Sequence, residues 1–337
     1  MTFLIDAGGD AGATLAMIES GAIQAEADGA DAVLLSETKH DPFVAMTLVA
    51  KATERVQIFS AIAVAFARNP MTVAMAASDV HELSGGRVIL GLGSQVQAHI
   101  EKRFSMPWSQ PVARMRDFIE AIRDIWHSWE TGERLNHRGE FYTHTLSTPF
   151  FAPEPNPHGY PPIWLAAVGE RMTKAAGAVA DGLVAHTFTT RRYMDEVTLP
   201  ALREGAAEAG RELPGIAIPA FIAMGDDERE ITRAAFAVGR QIAFYGSTPT
   251  YRPVLEVHGW GDRQETLNAA IRRGEWDALP GIVTEEMVRE FAAVGTPEQV
   301  AQQLRSRWGG IATRLSFSAP YEVRPEQWRR LYAALRA

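Results

Sequence analysis

The sequence predicts an α/β chain closed into a (β/α)8 TIM barrel, and three observations carry that prediction. Eight short apolar, β-branched runs are spread along the chain. Nearly all of them are separated by stretches with helical periodicity, and two of the early helices open with the same device, an Asp or Asn followed by Pro. Parallel strands with right-handed helical crossovers close on themselves at eight. An open doubly wound sheet is the alternative that the same alternation permits.

Taken in order, Phe3 to Asp6 reads as the first strand and Thr14 to Asp28 as an Ala-rich helix. Ala32 to Leu35 is the second strand, followed by a helix that Asp41-Pro42 starts. Val56 to Ala63 is the third, and Asn69-Pro70 opens a helix that ends at Gly85. Val88 to Leu90 is the fourth, and Gly91-Leu92-Gly93-Ser94 follows where it stops, ahead of a long helix reaching Trp126. Two glycines there admit either a ligand that needs bare backbone or simply a tight connection. The third glycine of a dinucleotide fingerprint is missing, since Val96 stands in its place.

Asn136 to Tyr160, rich in Pro, Gly and aromatics, reads as a hairpin or insertion loop, bounded at about 131–161. Ile163 to Ala167, Leu183 to His186, Ile216 to Met224 and Arg314 to Phe317 supply strands five to eight. Residues 225 to 290 are too long for an ordinary connection and read as a helical insertion between strands seven and eight. No linker divides the chain, so residues 1–337 are expected to form a single barrel domain.

Composition narrows the function. With 46% hydrophobic and 22% charged residues the chain suits a soluble globular protein. A net charge of −8, without a Lys/Arg stripe, argues against nucleic acid as a partner. There is no cysteine, which excludes disulfides, thiolate metal sites and thiol catalysis. No apolar run reaches the roughly 18 residues a membrane span needs, and the start lacks a signal-peptide pattern, so a cytoplasmic location away from membranes is expected.

A closed barrel gathers the residues that follow its strands at one mouth. Here these include Asp6, Ser36-Glu37-Thr38, Ser60-Ala61, Gly91 to Ser94, Ala167-Val168-Gly169 and His186-Thr187. His186 and Glu37 alone make no three-ligand metal site, and neither a Ser-His-Asp pattern nor a nucleophile elbow occurs. Small residues, hydroxyls and bare backbone suit a planar cofactor that carries the chemistry itself, acting on a small-molecule substrate.

Four segments give this expectation a family. FSAIAVAFARNP, ASDVHELSGGRVILGLGSQ, PPIWLAAVGERMTKAAGAVADGLVAH and GTPEQVAQQLRSRWGGIATRLSF follow one another across nearly the whole chain. Together they resemble the luciferase-like monooxygenase superfamily, and within it are most similar to the deazaflavin (coenzyme F420) dependent oxidoreductases. That resemblance implies a hydride transfer between the deazaflavin C5 and an organic substrate, with the ring lying against a bulge in strand three. A non-prolyl cis peptide in that bulge aligns with Ser60-Ala61. The resemblance further implies cofactor contacts from Glu37, Thr38, Gly91, Gly93, Ser94, Val168 and Gly169. The helix start after Gly169 suits the cofactor's phosphate, with Arg171 as a partner for it or, on the simpler reading, a surface arginine. It also implies a homodimer.

FMN-dependent members share most of these segments, so an FMN-dependent monooxygenase is the alternative, and a non-catalytic flavin-binding protein is the third reading. The chain departs from the deazaflavin pattern after strand two. Glu37-Thr38 stand where many such enzymes carry Asp-His, and histidine appears only at His40. The candidates for moving a proton are therefore Glu37, His40, His99 and His186. Phe188-Thr189 replace the basic pair of sugar-phosphate-oxidising relatives, which argues against a phosphorylated sugar. Phe66, Phe104, Met106 and Trp108 suggest an apolar substrate chamber, with core packing the simpler reading of Phe66.

Overall fold

The computed structural model describes residues 3–8, 12–276 and 279–337. In chain order its strands are β1 (Leu4–Ala7), β2 (Ala32–Leu35), β3 (Gln57–Ser60), β4 (Ala63–Val64), β5 (Val88–Gly93), β6 (His137–Arg138), β7 (Thr143–His144), β8 (Ile163–Ala167), β9 (Gly182–Ala185), β10 (Gly215–Met224), β11 (Ala292–Gly295) and β12 (Arg314–Ser318). β1, β2, β3, β5, β8, β9, β10 and β12 pair in that sequence, all parallel, and β12 returns to β1. The ring is closed, which rules out the open sheet. Among the described residues no helix is long and apolar enough to cross a membrane.

The expected cap chemistry sets the helices. Asp41 accepts from the Phe43 amide at 2.9 Å and Asn69 from the Thr72 amide at 3.0 Å, each with Pro at the first helical position. Thr296 and Gln299 form a reciprocal capping box at the start of helix Pro297–Trp308.

Three elements differ from the sequence reading. The run Val56–Ala63 is not one strand, because β3 stops at Ser60 and β4 resumes at Ala63. The long helix after β5 is two, Gln97–Lys102 and Pro111–Thr131, with an irregular stretch between them. β11 is a strand that the sequence reading does not assign. The insertion before it holds helices Glu228–Gly246, Arg252–Glu256, Arg263–Arg272, Leu279–Ile282 and Glu285–Phe291, while residues 277 and 278 lie outside the described residues.

β10 explains how the insertion attaches. Its even-numbered residues bond toward β12, as the Thr313 amide does to the Ile216 carbonyl at 2.8 Å. Its odd-numbered residues face β9 at the amino end, where the Gly215 amide reaches Asp181, and β11 at the carboxyl end, where the Gly225 amide reaches Gly295. β9 pairs only residues 215–217 and β11 only 221–224. Pro219 sits between them on that edge, the one place where a residue without an N–H leaves no bond unmade. A second apolar cluster, including Phe188, Phe221, Ile242, Leu255, Leu267 and Phe291, fills the space that β9 leaves.

The amino end of the ring is filled by side chains. Ala32, Phe59, Ile89, Trp164 and Ala217 pack together, with Phe59 edge-on to Trp164 at 5.4 Å. A Cβ on Gly182 would lie 2.1 Å from the Trp164 ring, so glycine is what lets the indole in. Beside them Arg314 donates twice to Asp6, both bonds 2.8 Å long and fully buried. Asp6, at the first strand's end, is thereby engaged in the barrel wall.

A small hairpin, β6–β7, is fastened to helix Pro111–Thr131. His137 directs Nε2 to Asp117 at 2.7 Å and Nδ1 to Asp124 at 2.8 Å, while the other Asp117 oxygen accepts from the Phe141 and Tyr142 amides. Burial alone would depress the His137 pKa, but the two carboxylates outweigh it and raise it. A Cβ at Gly139 would fall 1.7 Å from Asp117, so this turn also requires glycine. Arg114 ties the hairpin to the turn after β4, bonding Tyr142 Oη at 2.8 Å and lying 4.5 Å from the Phe66 ring centroid.

Candidate active site

The mouth lies at the carboxyl ends of the eight ring strands, and its two flanks are built differently. On the first, β3 ends at Ser60, whose hydroxyl then takes over the ladder: it accepts from the Gly91 amide at 2.9 Å and donates to the Gly91 carbonyl at 3.0 Å. The chain next bulges through Ala61 and Ile62 before β4 pairs with Leu92 and Gly93. The Ala61 amide donates to Leu35 and its carbonyl accepts from Ser36 Oγ at 3.0 Å. The cis peptide expected at Ser60-Ala61 is found one residue later, at Ala61–Ile62.

The two glycines of β5 admit this bulge. A Cβ at Gly91 would sit 1.9 Å from the Ser60 carbonyl oxygen, and one at Gly93 would sit 2.8 Å from the Ile62 side chain. The space they open is therefore occupied by the chain's own backbone and Ile62. Gly93 also lies beside Ala166 of β8, 3.6 Å from its Cβ position, which places the bulge next to the end of that strand. Ser94 is half-buried and its hydroxyl donates to the adjacent Gln95 carbonyl at 3.1 Å.

Glu37 braces the same flank. It is 9% exposed, and one carboxylate oxygen accepts from the Val64 amide and from Arg68, both at 2.7 Å. Arg68 reaches on to Asp41 at 2.6 Å. Glu37 thus holds β4 in place through charge-assisted bonds, a positioning task more than a proton-moving one. The Thr38 carbonyl accepts from Arg103 at 2.5 Å, joining the loop after β2 to the end of helix Gln97–Lys102. His40 is half-buried close by, and His99 is exposed on that short helix. Phe66 is core, edge-on to Trp108 at 5.7 Å, whereas Phe104, Met106 and Trp108 are only partly buried.

Between the flanks, helix Glu170–Val179 begins at Gly169, which has no capping side chain and open space where a Cβ would be. Its first amides meet the conditions for an anion site, with exposed Arg171 in the first turn and Glu170 as the opposing charge. The Val168 carbonyl accepts from Tyr193 Oη at 3.1 Å.

The second flank is aromatic. Gly182 and Val184 contact the inner layer around Trp164, so the alternation of β9 carries the next member, His186, inward at the mouth. Its Nδ1 accepts from the Phe188 amide at 3.0 Å, and Nε2 lies 3.1 Å from Tyr251 Oη. The ring stacks on Tyr251 at 4.6 Å and meets Tyr245 edge-on at 4.8 Å. Burial pushes the His186 pKa down to about 4, and the N–H aimed at Nδ1 works in the same direction. His186 is therefore neutral near pH 7, with its proton on Nε2 and directed to Tyr251. Burial pushes the Tyr251 phenol up to about 12. Neither tyrosine was singled out from the sequence: both lie in the insertion, away from the strand ends expected to gather at the mouth.

Of the sequence-chosen residues, Glu37, Ser60, Ala61, Gly91 and Gly93 come together in the bulge and its braces, Val168, Gly169 and Arg171 form the helix start, and His186 stands on the aromatic flank. The structure gives His40 and His99 no bond to any of them. A cavity of about 300 Å³ between the insertion and β11, lined by Ile231, Phe236, Val283 and Val294 together with Glu228 and Arg240, includes none of these residues.

Comparison with known proteins agrees with this architecture. Residues 1–313 match the family model described as luciferase-like monooxygenase. An uncharacterized protein of Mycobacterium tuberculosis is 46% identical over 303 residues, 89% of each chain. The F420-dependent glucose-6-phosphate dehydrogenase of Rhodococcus erythropolis is 29% identical over 314 residues, covering 89% of this chain and 86% of its own. Among solved structures, the coenzyme F420 dependent tetrahydromethanopterin reductase of Methanopyrus kandleri superposes with a TM-score of 0.80 at 20% identity, covering 99% of this chain and 98% of its own. A match spanning nearly the full length and a closed ring with a bulge after its third strand together assign the chain to the luciferase-like monooxygenase family.

Proposed function

We propose that the protein is an F420-dependent oxidoreductase, exchanging a hydride with an organic carbonyl, alcohol or activated alkene. The observation that carries this reading is the adjacency of two features at one end of the barrel. One is a bulge through Ala61 and Ile62, buttressed by Ser36, Ser60 and Glu37. The other is an uncapped helix start at Gly169 with Arg171. The first suits the flat face of a tricyclic ring, and the second suits a phosphate on its side chain.

When bound, the deazaflavin would supply hydride chemistry at C5. The chain's own contribution is to hold that ring. Glu37 keeps β4 fixed through the Val64 amide, Ser60 completes the β5 ladder, and Gly169 and Arg171 take the anionic tail. Neutral His186 and the aromatic flank line the other side of the mouth.

Titrating the purified protein with F420 and with FMN, followed by fluorescence, tests the reading. Tight binding of F420 is expected, weakened roughly tenfold by Arg171→Ala if about 1.4 kcal/mol of phosphate pairing is lost. Preference for FMN would favour an FMN-dependent monooxygenase, a reading that the description of the matching family supports.

A further inference from the structure

The geometry points to Tyr251 as the group that protonates the substrate oxygen, with His186 as a neutral positioning residue behind it; this rests on the function proposed above. His186 cannot direct its proton elsewhere. The Phe188 amide occupies Nδ1, so Nε2 carries the hydrogen and donates to Tyr251 Oη. The tyrosine oxygen, already accepting, keeps its own hydrogen for a further partner. Tyr251 is only partly buried, and its ring covers a histidine that β9 turns into the mouth. Among the described residues, Oη has no other hydrogen-bond partner than His186.

The proposed step balances as follows. Reduced deazaflavin, when bound, would supply the hydride, and with it the two electrons, for the new C–H bond at the carbonyl carbon, and would itself be left oxidised. The Tyr251 O–H bond breaks as the product O–H forms, and the phenolate left behind keeps the His186 Nε2–H bond until water reprotonates it. A phenol that holds its proton well above neutral pH is present at pH 7 in the protonated form this step requires.

Nitrogen-15 NMR of the ligand-free protein should find His186 as the Nε2–H tautomer and uncharged from pH 8 to pH 5.5; an imidazolium at pH 6 would overturn the positioning role. The chain has 7 tyrosines, so fluorotyrosine labelling gives few signals, and Tyr251→Phe identifies the one that matters. That signal should keep its position in His186→Gln, whose amide can donate from the Nε2 site, and move in His186→Ala. It should also move when F420 and then acetophenone, as a ketone probe, are added. A Tyr251 signal indifferent to both probes while fluorescence reports F420 bound would defeat this inference and leave the proposed function standing. Failure of F420 to bind at all would defeat the proposed function instead.

Discussion

The β3–β5 flank of the mouth is made of main chain packed on main chain, whereas the β9–β10 flank is made of rings. On the first, atoms are left out so that a bulge can enter: Gly91 and Gly93 are small because Ser60 and Ile62 lie over them. On the second, β9 and β10 part after residue 217, and His186, Tyr245, Tyr251 and Phe188 are brought in to fill the opening. The contrast separates two kinds of specification. One flank is fixed by what cannot be added, the other by what cannot be removed.

The largest expected effect tests the first flank. Gly91→Ala places a Cβ against the Ser60 carbonyl, and neither strand can yield without losing ladder bonds, so a loss of about 3 kcal/mol or more is expected in urea denaturation. A variant within about 1 kcal/mol of wild type would break the comparison.

The pH dependence of stability comes next, because the histidines that serve the two flanks titrate in opposite senses. For His186 the folded pKa of about 4 lies below the ordinary value of 6.5, so its contribution is intact above pH 6.5 and lost as pH falls toward 4. By pH 5 the loss is about 2 kcal/mol, and His186→Gln should reduce it. His81, His144 and His258 are also depressed by burial and steepen the same acid limb. His137, which secures the hairpin behind Phe66, is raised, so its contribution is intact below pH 6.5 and lost as pH climbs through the folded value. Urea midpoints from pH 5 to 9 should show His137→Gln flattening the alkaline limb alone.

Glu37→Gln should cost about 1 to 2 kcal/mol by the same measurement, since Arg68 loses a charged partner while the Val64 amide keeps an acceptor. The smallest effect is expected on the aromatic flank. Tyr251→Phe retains the stacked ring and gives up one bond near the mouth, costing about 1 kcal/mol or less. A larger loss would mean that the hydroxyl holds the insertion to the barrel.

The eight ring strands were legible because buried parallel strands are short apolar runs, and Ala32–Leu35 and Ile163–Ala167 match to the residue. The helix starts at Asp41 and Asn69 were legible from the Asp-Pro and Asn-Pro pairs that open them. β11 was not, since its four residues follow helix Glu285–Phe291 without a break that composition could reveal. The break at Ala61–Ile62 opens a continuous apolar stretch, Ala61 to Ala67, and periodicity cannot mark a bulge made of apolar residues. The glycines of β5 were seen as space without a hint of what fills it. The partners of His186 depend on a fold-level event, the parting of β9 from β10, which brings a distant helical segment over the mouth.

Pro219 carries a consequence for how such a chain can change. Because the odd-numbered edge of β10 switches neighbours at a residue with no amide to forfeit, the segment from 225 to 291 is hung on the circuit of strands, not woven through it. Substituting a longer, shorter or unrelated segment leaves all eight seams of the scaffold closed. A lineage can therefore retailor what enters the cup while inheriting the wall unchanged.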